Sequence, residues 1–332
     1  MPDETSDQLL TLYTERWQTL GLSLQQVGFD LLSYLELIGG ENPLCIAEQA
    51  KAYLAETADT YASAWADPRR QVGPIPGRSE LETALAGPQF AYGFPQAEQV
   101  PTIEDTLYHL GIDVTRQPNL SLEVNRSLQP GSAMAFPVRV PEEIYLVVSP
   151  TGGLNAYEQF LRVTGMIMPK LLLSPKLPWA IRRLADHAVA EAFGEVFAGL
   201  LGNGTWLADL LKLDDSVNEF VEFYRFRRLY HLRLAAARLI HLVDRARGQE
   251  DYIAIFQGAL GVKHSPNSLW LDMGWQRRAL ATWQGLLRGV QLESALIKRH
   301  GPRWYRDATA SAELRELWAS GLSDLSQIVL PS

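Results

Sequence analysis

The sequence predicts a mainly α protein with one small β-sheet, an α+β chain in which helices both precede and follow a short run of strands. Apolar residues recur at helical spacing over most of the chain. One stretch, residues 118–149, alternates instead and is rich in branched side chains. Glycine and proline gather at the few places where one pattern gives way to another. With 332 residues, 47% of them hydrophobic, the chain can bury a sizeable core, as one large domain or as two packed lobes.

From Ser6 to Ile38 the apolar positions Leu9, Leu12, Tyr13, Leu20, Leu24, Val27, Leu31 and Leu35 predict a helix that stops at Gly39-Gly40. Asn42-Pro43 is an N-cap followed by proline at the first helical position, opening a helix to about Trp65. Pro68 to Pro101 predicts loops with one short helix near Ser79–Leu85. Thr102 and Asp105 have the spacing of a capping arrangement for a helix that ends at Gly111. Three strands follow, carried by Leu120, Leu122 and Val124, then Phe136, Val138 and Val140, then Ile144, Leu146 and Val148. Beyond Gly152-Gly153 the spacing predicts helices over 154–169, 178–202, 214–247, 250–260, 275–300 and 311–328.

Charge and cysteine content narrow the function classes. Net charge is −8, with 8 basic and 20 acidic residues in 1–150 but 22 and 18 in 151–332. That surface is too weakly basic for a nucleic-acid groove. The single cysteine, Cys45, excludes an internal disulfide framework and fits a reducing compartment. The acidic start MPDETSDQ is unlike a signal or transit peptide, and the richest apolar run, Ile144–Val148, is strand-sized. The expectation is a cytoplasmic protein with no membrane partner.

An ordered series of segments resembles one enzyme family. It begins at LGIDV (110–114) and LEVNRS (122–127), and continues through AFPVRVPEEIYLVVSPTGGLNAYEQF (135–160). It resumes at LPWAIRRLADHAVAEAFGEVF (177–197), FRRLYHLRLAAARLIH (226–241) and LRELWASG (314–321). The series is similar to the thimet oligopeptidase and oligoendopeptidase F group of gluzincin metallopeptidases, especially its bacterial, carboxypeptidase-like relatives. The resemblance implies a zincin-like scaffold over residues 112–332, with a shortened N-terminal helical part over 1–111. In such enzymes H-E-x-x-H on a first helix binds zinc through two imidazoles one turn apart, and the glutamate between them activates water. A second helix supplies a glutamate as third ligand.

The departure falls on those residues. Where relatives have H-E-x-G-H, this chain reads Arg162-Val163-Thr164-Gly165-Met166, and Glu191 stands where the resemblance puts the third ligand. Arginine offers a metal no lone pair, a thioether is a poor zinc ligand, and valine accepts no proton. No zinc or other cofactor is therefore expected. Arg162 is instead expected to pair with Glu191, which would otherwise be a buried, uncompensated carboxylate. His187, Glu195, Trp275, Arg277 and Arg278 are candidates for the walls of the former cleft. The segment Glu143, Ile144, Tyr145, Leu146 and Val147, within Glu143–Ser149, or else Ala135–Val140, is a candidate edge strand to which an extended peptide could add.

The leading expectation is a catalytically inactive relative that binds a peptide or protein partner, or regulates an active paralogue, as a homo- or hetero-oligomer. A first alternative is an active metallohydrolase using His187, Glu191 and Glu195, which lie at helical i,i+4 spacing. A second is a structural subunit with a plugged cleft. The sequence has no G-x-S-x-G elbow, and Gly152-Gly153 lacks the further residues of a phosphate loop.

Overall fold

A computed structural model describes residues 2–39, 41–65, 77–183, 187–211, 213, 216–249, 251–265, 268–269, 272 and 278–322. Its contacts divide the chain into two compact units, each discontinuous in sequence. The first is Met1–Leu85 with Phe226–Trp283; the second is Ala86–Arg225 with Gln284–Ser332. The boundary expected after residue 111 lies inside the second unit.

In the first unit the single helix expected over residues 6–38 is two, α1 (Pro2–Gln26) and α2 (Leu31–Gly39). The chain turns between them because Gly28 adopts φ +80°, and Asp30 accepts a hydrogen bond from the Ser33 amide at 2.7 Å to restart the helix. The predicted cap at Asn42 forms: its side chain accepts from the amide of Leu44 at 2.9 Å and opens α3 (Pro43–Glu56). Then come α4 (Ala58–Trp65) and α5 (Arg78–Leu85). The long helix α11 (Val217–Ala246) opens this unit's second part from Phe226 onward, followed by α12 (Tyr252–Leu260), capped by Asp251. Tyr61, Leu81, Leu85, Tyr230, Phe256 and Leu260 form its core. Arg233 ties α11 to its neighbours by donating to the carbonyls of Ala259 (2.7 Å) and Leu54 (2.8 Å).

The first α-helix of the second unit, α6 (Gln99–His109), starts four residues ahead of expectation, after Glu98 and not after Thr102. Thr102 therefore lies inside the helix, where its carbonyl accepts from the Thr106 hydroxyl at 2.8 Å, instead of capping the helix end. Three strands follow as predicted: β1 (Leu120–Val124), β2 (Ala133–Arg139) and β3 (Glu143–Val148). Their order is β1-β3-β2, with β1 parallel and β2 antiparallel to β3. This corrects one expectation. Glu143, Ile144, Tyr145, Leu146 and Val147 lie in the central strand, paired on both sides, so their backbone is not a free edge. Among the described residues the edges are β1 and β2.

Gly152-Gly153 makes the turn from β3 into α7 (Leu154–Leu171), with φ +72° and +79°, and a Cβ on Gly152 would stand 2.7 Å from the Phe94 carbonyl oxygen. The helix expected over 178–202 appears as α8 (Trp179–Arg183) and α9 (His187–Gly199). A short helix that the spacing did not predict, α10 (Gly204–Leu210), is capped by Asn203. The unit closes with α13 (Ala279–His300), from Gln284 onward, and α14 (Ala308–Ala319), which Asp307 caps three residues ahead of prediction. Its core joins the inner sheet face to the helices through Leu146, Tyr157, Phe160, Phe193, Trp206 and Trp318. No described helix is long and apolar enough to cross a membrane.

Candidate functional site

The candidate site is built where α7 and α9 cross in the second unit. Two glycines set how closely the backbones approach. A Cβ on Gly165 would collide with the carbonyl oxygen of Phe193. One on Gly194 would stand 2.8 Å from Met166 Cγ and 3.1 Å from the Arg162 carbonyl oxygen. The glycine of the R-V-T-G-M segment is thus required by packing. Arg162 and Met166, one turn apart on α7, straddle Gly194. From its other side α9 meets α13, again over glycines: a Cβ on Gly285 would lie 2.5 Å from Glu191 Cβ, and one on Gly289 2.5 Å from Glu195 Cβ.

Within this contact the Arg162 guanidinium donates to Glu195 Oε2 at 2.8 Å and stands 3.8 Å from Glu158 Oε1, one turn earlier on its own helix. The Glu195 side chain is 3% exposed. Glu158 also accepts from the Tyr224 hydroxyl, which contacts the carbonyl of Ala198 as well. Burial works against the charge on Arg162, but the carboxylates of Glu195 and Glu158 outweigh it and hold the guanidinium more firmly protonated than usual.

The partner differs from expectation. Glu191 points along α9 to His187, with Oε1 2.9 Å from Nε2, and Arg162 takes the glutamate one turn further on. Val163 packs against the apolar core. Met166 and His187 line a cavity of about 90 Å³ that opens beside the C-terminal half of α7. Of the expected cleft walls, Trp275 and Arg277 lie outside the described residues, and Arg278 is an exposed residue of the first unit. The spacing of residues missed Glu158 and Tyr224. Glu158 was reachable, since it stands at i−4 from Arg162 on a predicted helix; nothing local marks Tyr224.

As a donor set for a divalent cation, these side chains do not fit. The group that reaches into the carboxylates is a guanidinium with no lone pair, and the next is a thioether. Glu195 is already engaged by Arg162 at 2.8 Å, and Glu191 lies against His187 at 2.9 Å. Among the described residues no three His, Cys, Asp or Glu side chains come together in an arrangement able to hold a metal ion.

No protein-family model matches the sequence, and no curated protein is a significant match to it. The fold, however, is similar to solved structures. An M32 carboxypeptidase from Deinococcus radiodurans R1 superposes with a TM-score of 0.64 at 17% identity, covering 96% of this chain and 72% of that one. A carboxypeptidase from Pyrococcus furiosus gives 0.59 at 11% identity, covering 98% and 74%. At these identities the likeness is one of fold: this chain has the architecture of the M32 metallocarboxypeptidases.

Proposed function

We propose that this chain is a non-catalytic relative of the metallocarboxypeptidases and binds an extended peptide or protein segment without cleaving it. The observation that carries the reading is the 2.8 Å pair between Arg162 and Glu195. In this reading Arg162, Val163 and Met166 occupy the positions of the two imidazoles and general base of H-E-x-G-H, Glu191 is the former third ligand, and a fixed organic cation stands in for the metal. None of the three α7 side chains can take a proton from water or bind it as a Lewis acid in the way the zinc and glutamate of H-E-x-G-H do. The kinship with the oligoendopeptidase F group, the cytoplasmic setting and an active paralogue as partner belong to the same proposal.

The peptide would add to β2. This is an edge strand with Met134, Phe136 and Val138 exposed at 44%, 44% and 50%, the alternation that side-chain pockets of an added strand read. Pro137 has no amide proton and the register shifts between Pro137 and Arg139, so pairing is limited to the Ala133–Phe136 half.

The test is hydrolysis and binding measured together. Protein incubated with zinc, cobalt or manganese and a pool of free-C-terminus peptides is expected to release no amino acid, while some pool members raise its melting temperature. Hydrolysis blocked by a chelator would refute the reading. The triple variant Arg162→His, Val163→Glu, Met166→His is expected to gain zinc affinity.

A further inference from the structure

We propose that β1 is a self-association edge: a second copy of this chain adds its own β1 antiparallel to it, joining two three-stranded sheets into one. The ladder to β3 fixes which backbone groups are free. The Ile144 amide donates to the Asn119 carbonyl at 3.0 Å and the Asn125 amide to the Val148 carbonyl at 2.9 Å, and the parallel register between those points is continuous. Asn119, Ser121, Glu123 and Asn125 therefore turn their backbone groups towards β3, while Leu120, Leu122 and Val124 turn theirs away. The Leu120 amide is taken by the Gln117 carbonyl at 3.3 Å. Among the described residues nothing pairs with the Leu120 carbonyl, or with the amide and carbonyl of Leu122 and of Val124.

The two edges of the sheet are not alike. β2 is interrupted by Pro137 and a register shift, devices that limit pairing at an edge. β1 has neither, its one charge is Glu123, and its five residues make it as long as an ordinary paired strand. Its sequence also selects one arrangement with a copy of itself. Antiparallel pairing needs an outward-turned residue opposite another, and a two-fold axis at Leu122 meets this for all three. Leu122 then faces the copy's Leu122, and each Leu120 faces the other chain's Val124. An axis at Glu123 would set two carboxylates directly opposite each other, and one at Ser121 would set Val124 against Pro118, which has no amide. With the axis at Leu122, each Glu123 faces the copy's Ser121, whose hydroxyl can donate to the carboxylate. Val124, 53% exposed, then packs beside the copy's Leu120. A seam of five residues falls short of the roughly 1,200 Å² of a standard stable interface, so the dimer is a weak, concentration-dependent one. It leaves β2 open and does not depend on peptide binding there.

Sedimentation velocity of the intact chain from about 5 to about 500 μM is expected to show a reversible monomer–dimer equilibrium. Val124→Pro removes an amide that has no partner in the monomer, at an exposed side chain, and is expected to weaken association at least about tenfold. In a Cys45→Ser background, Ser121→Cys and Glu123→Cys chains mixed under mild oxidation are expected to become linked to each other. Directly opposite residues of a non-hydrogen-bonded pair stand about 4.5 Å apart at Cα, within disulfide reach. Either variant alone is expected to stay unlinked, since this axis sets identical residues about 8 Å apart, beyond that reach. The cysteine pair is the test should Val124→Pro fail to fold. A chain that stays monomeric across the range, association unchanged in Val124→Pro, or linkage of one cysteine variant alone as fast as of the mixture would overturn the proposal.

Discussion

Replacing Arg162 by methionine isolates the contribution of the cation at the α7–α9 crossing. At 2.8 Å and an effective dielectric constant of about 20, the gross attraction between Arg162 and Glu195 is roughly 6 kcal/mol, part of which repays the desolvation of both groups. With the guanidinium removed, Glu195 keeps a side chain only 3% exposed and loses the cation 2.8 Å from its Oε2. Breaking a buried pair in this way costs about 3–5 kcal/mol. Urea unfolding followed by circular dichroism reads the loss as a lower midpoint at constant slope. Pairing the change with Glu195→Gln removes the stranded charge, so the double variant should recover at least about 2 kcal/mol of the single variant's loss. A loss below about 1 kcal/mol in Arg162→Met, or strictly additive variants, would refute the claim that this cation holds the two helices together.

The first unit supplies two further predictions. Asp272, with its side chain fully buried, accepts from Arg78 Nη1 and the Tyr252 hydroxyl, each at 2.6 Å, while Arg238 Nη2 stands 3.5 Å away. Asp272→Asn takes the carboxylate charge from Arg238 and leaves Arg78 with Glu82 alone, at 2.8 Å, and a loss of about 3 kcal/mol in urea unfolding is expected; a change under about 1 kcal/mol contradicts it. His241 is 1% exposed, neither ring nitrogen has a hydrogen-bond partner, and burial with Arg245 nearby pushes its pKa down to about 4 from an ordinary 6.5. Below pH 6.5 the unfolded chain takes a proton that the folded chain refuses, so stability falls as pH drops from 6.5 to 4, by up to about 3 kcal/mol. His241→Phe should flatten that part of the stability–pH curve, and an unchanged slope would show that the ring is not the cause.

The helical spacing of apolar residues located α7 and α12 closely, because each buries one stripe against a core, and α11 as well, although its middle is buried on every side; it ran α3 and α4 together as one helix to Trp65. Helix starts moved by about three residues where a better cap lay nearby, as at Asp307. The alternation in 118–149 gave three strands, yet alternation reads the same in a central strand and an edge one. The buried pair Val147-Val148, which breaks the alternation, was the local sign that β3 is covered. At the site, the sequence put Arg162 opposite a glutamate of the following helix, but which one depends on how far α9 slides along α7. One helical turn, about 5.4 Å, separates Glu191 from Glu195, and the contact of Gly165 with Phe193 and of Gly194 with Met166 decides it. That register is a property of two surfaces in contact and is written in neither helix alone.

The central claim is that a guanidinium holds the place of a metal ion, so metal stoichiometry tests it most directly. Protein purified without a histidine tag, saturated with zinc and then dialysed, should retain far less than one zinc per chain by mass spectrometry, and anomalous diffraction should show no ion near Glu195. One tightly held ion per chain with His187, Glu191 or Glu195 among its ligands would contradict the account.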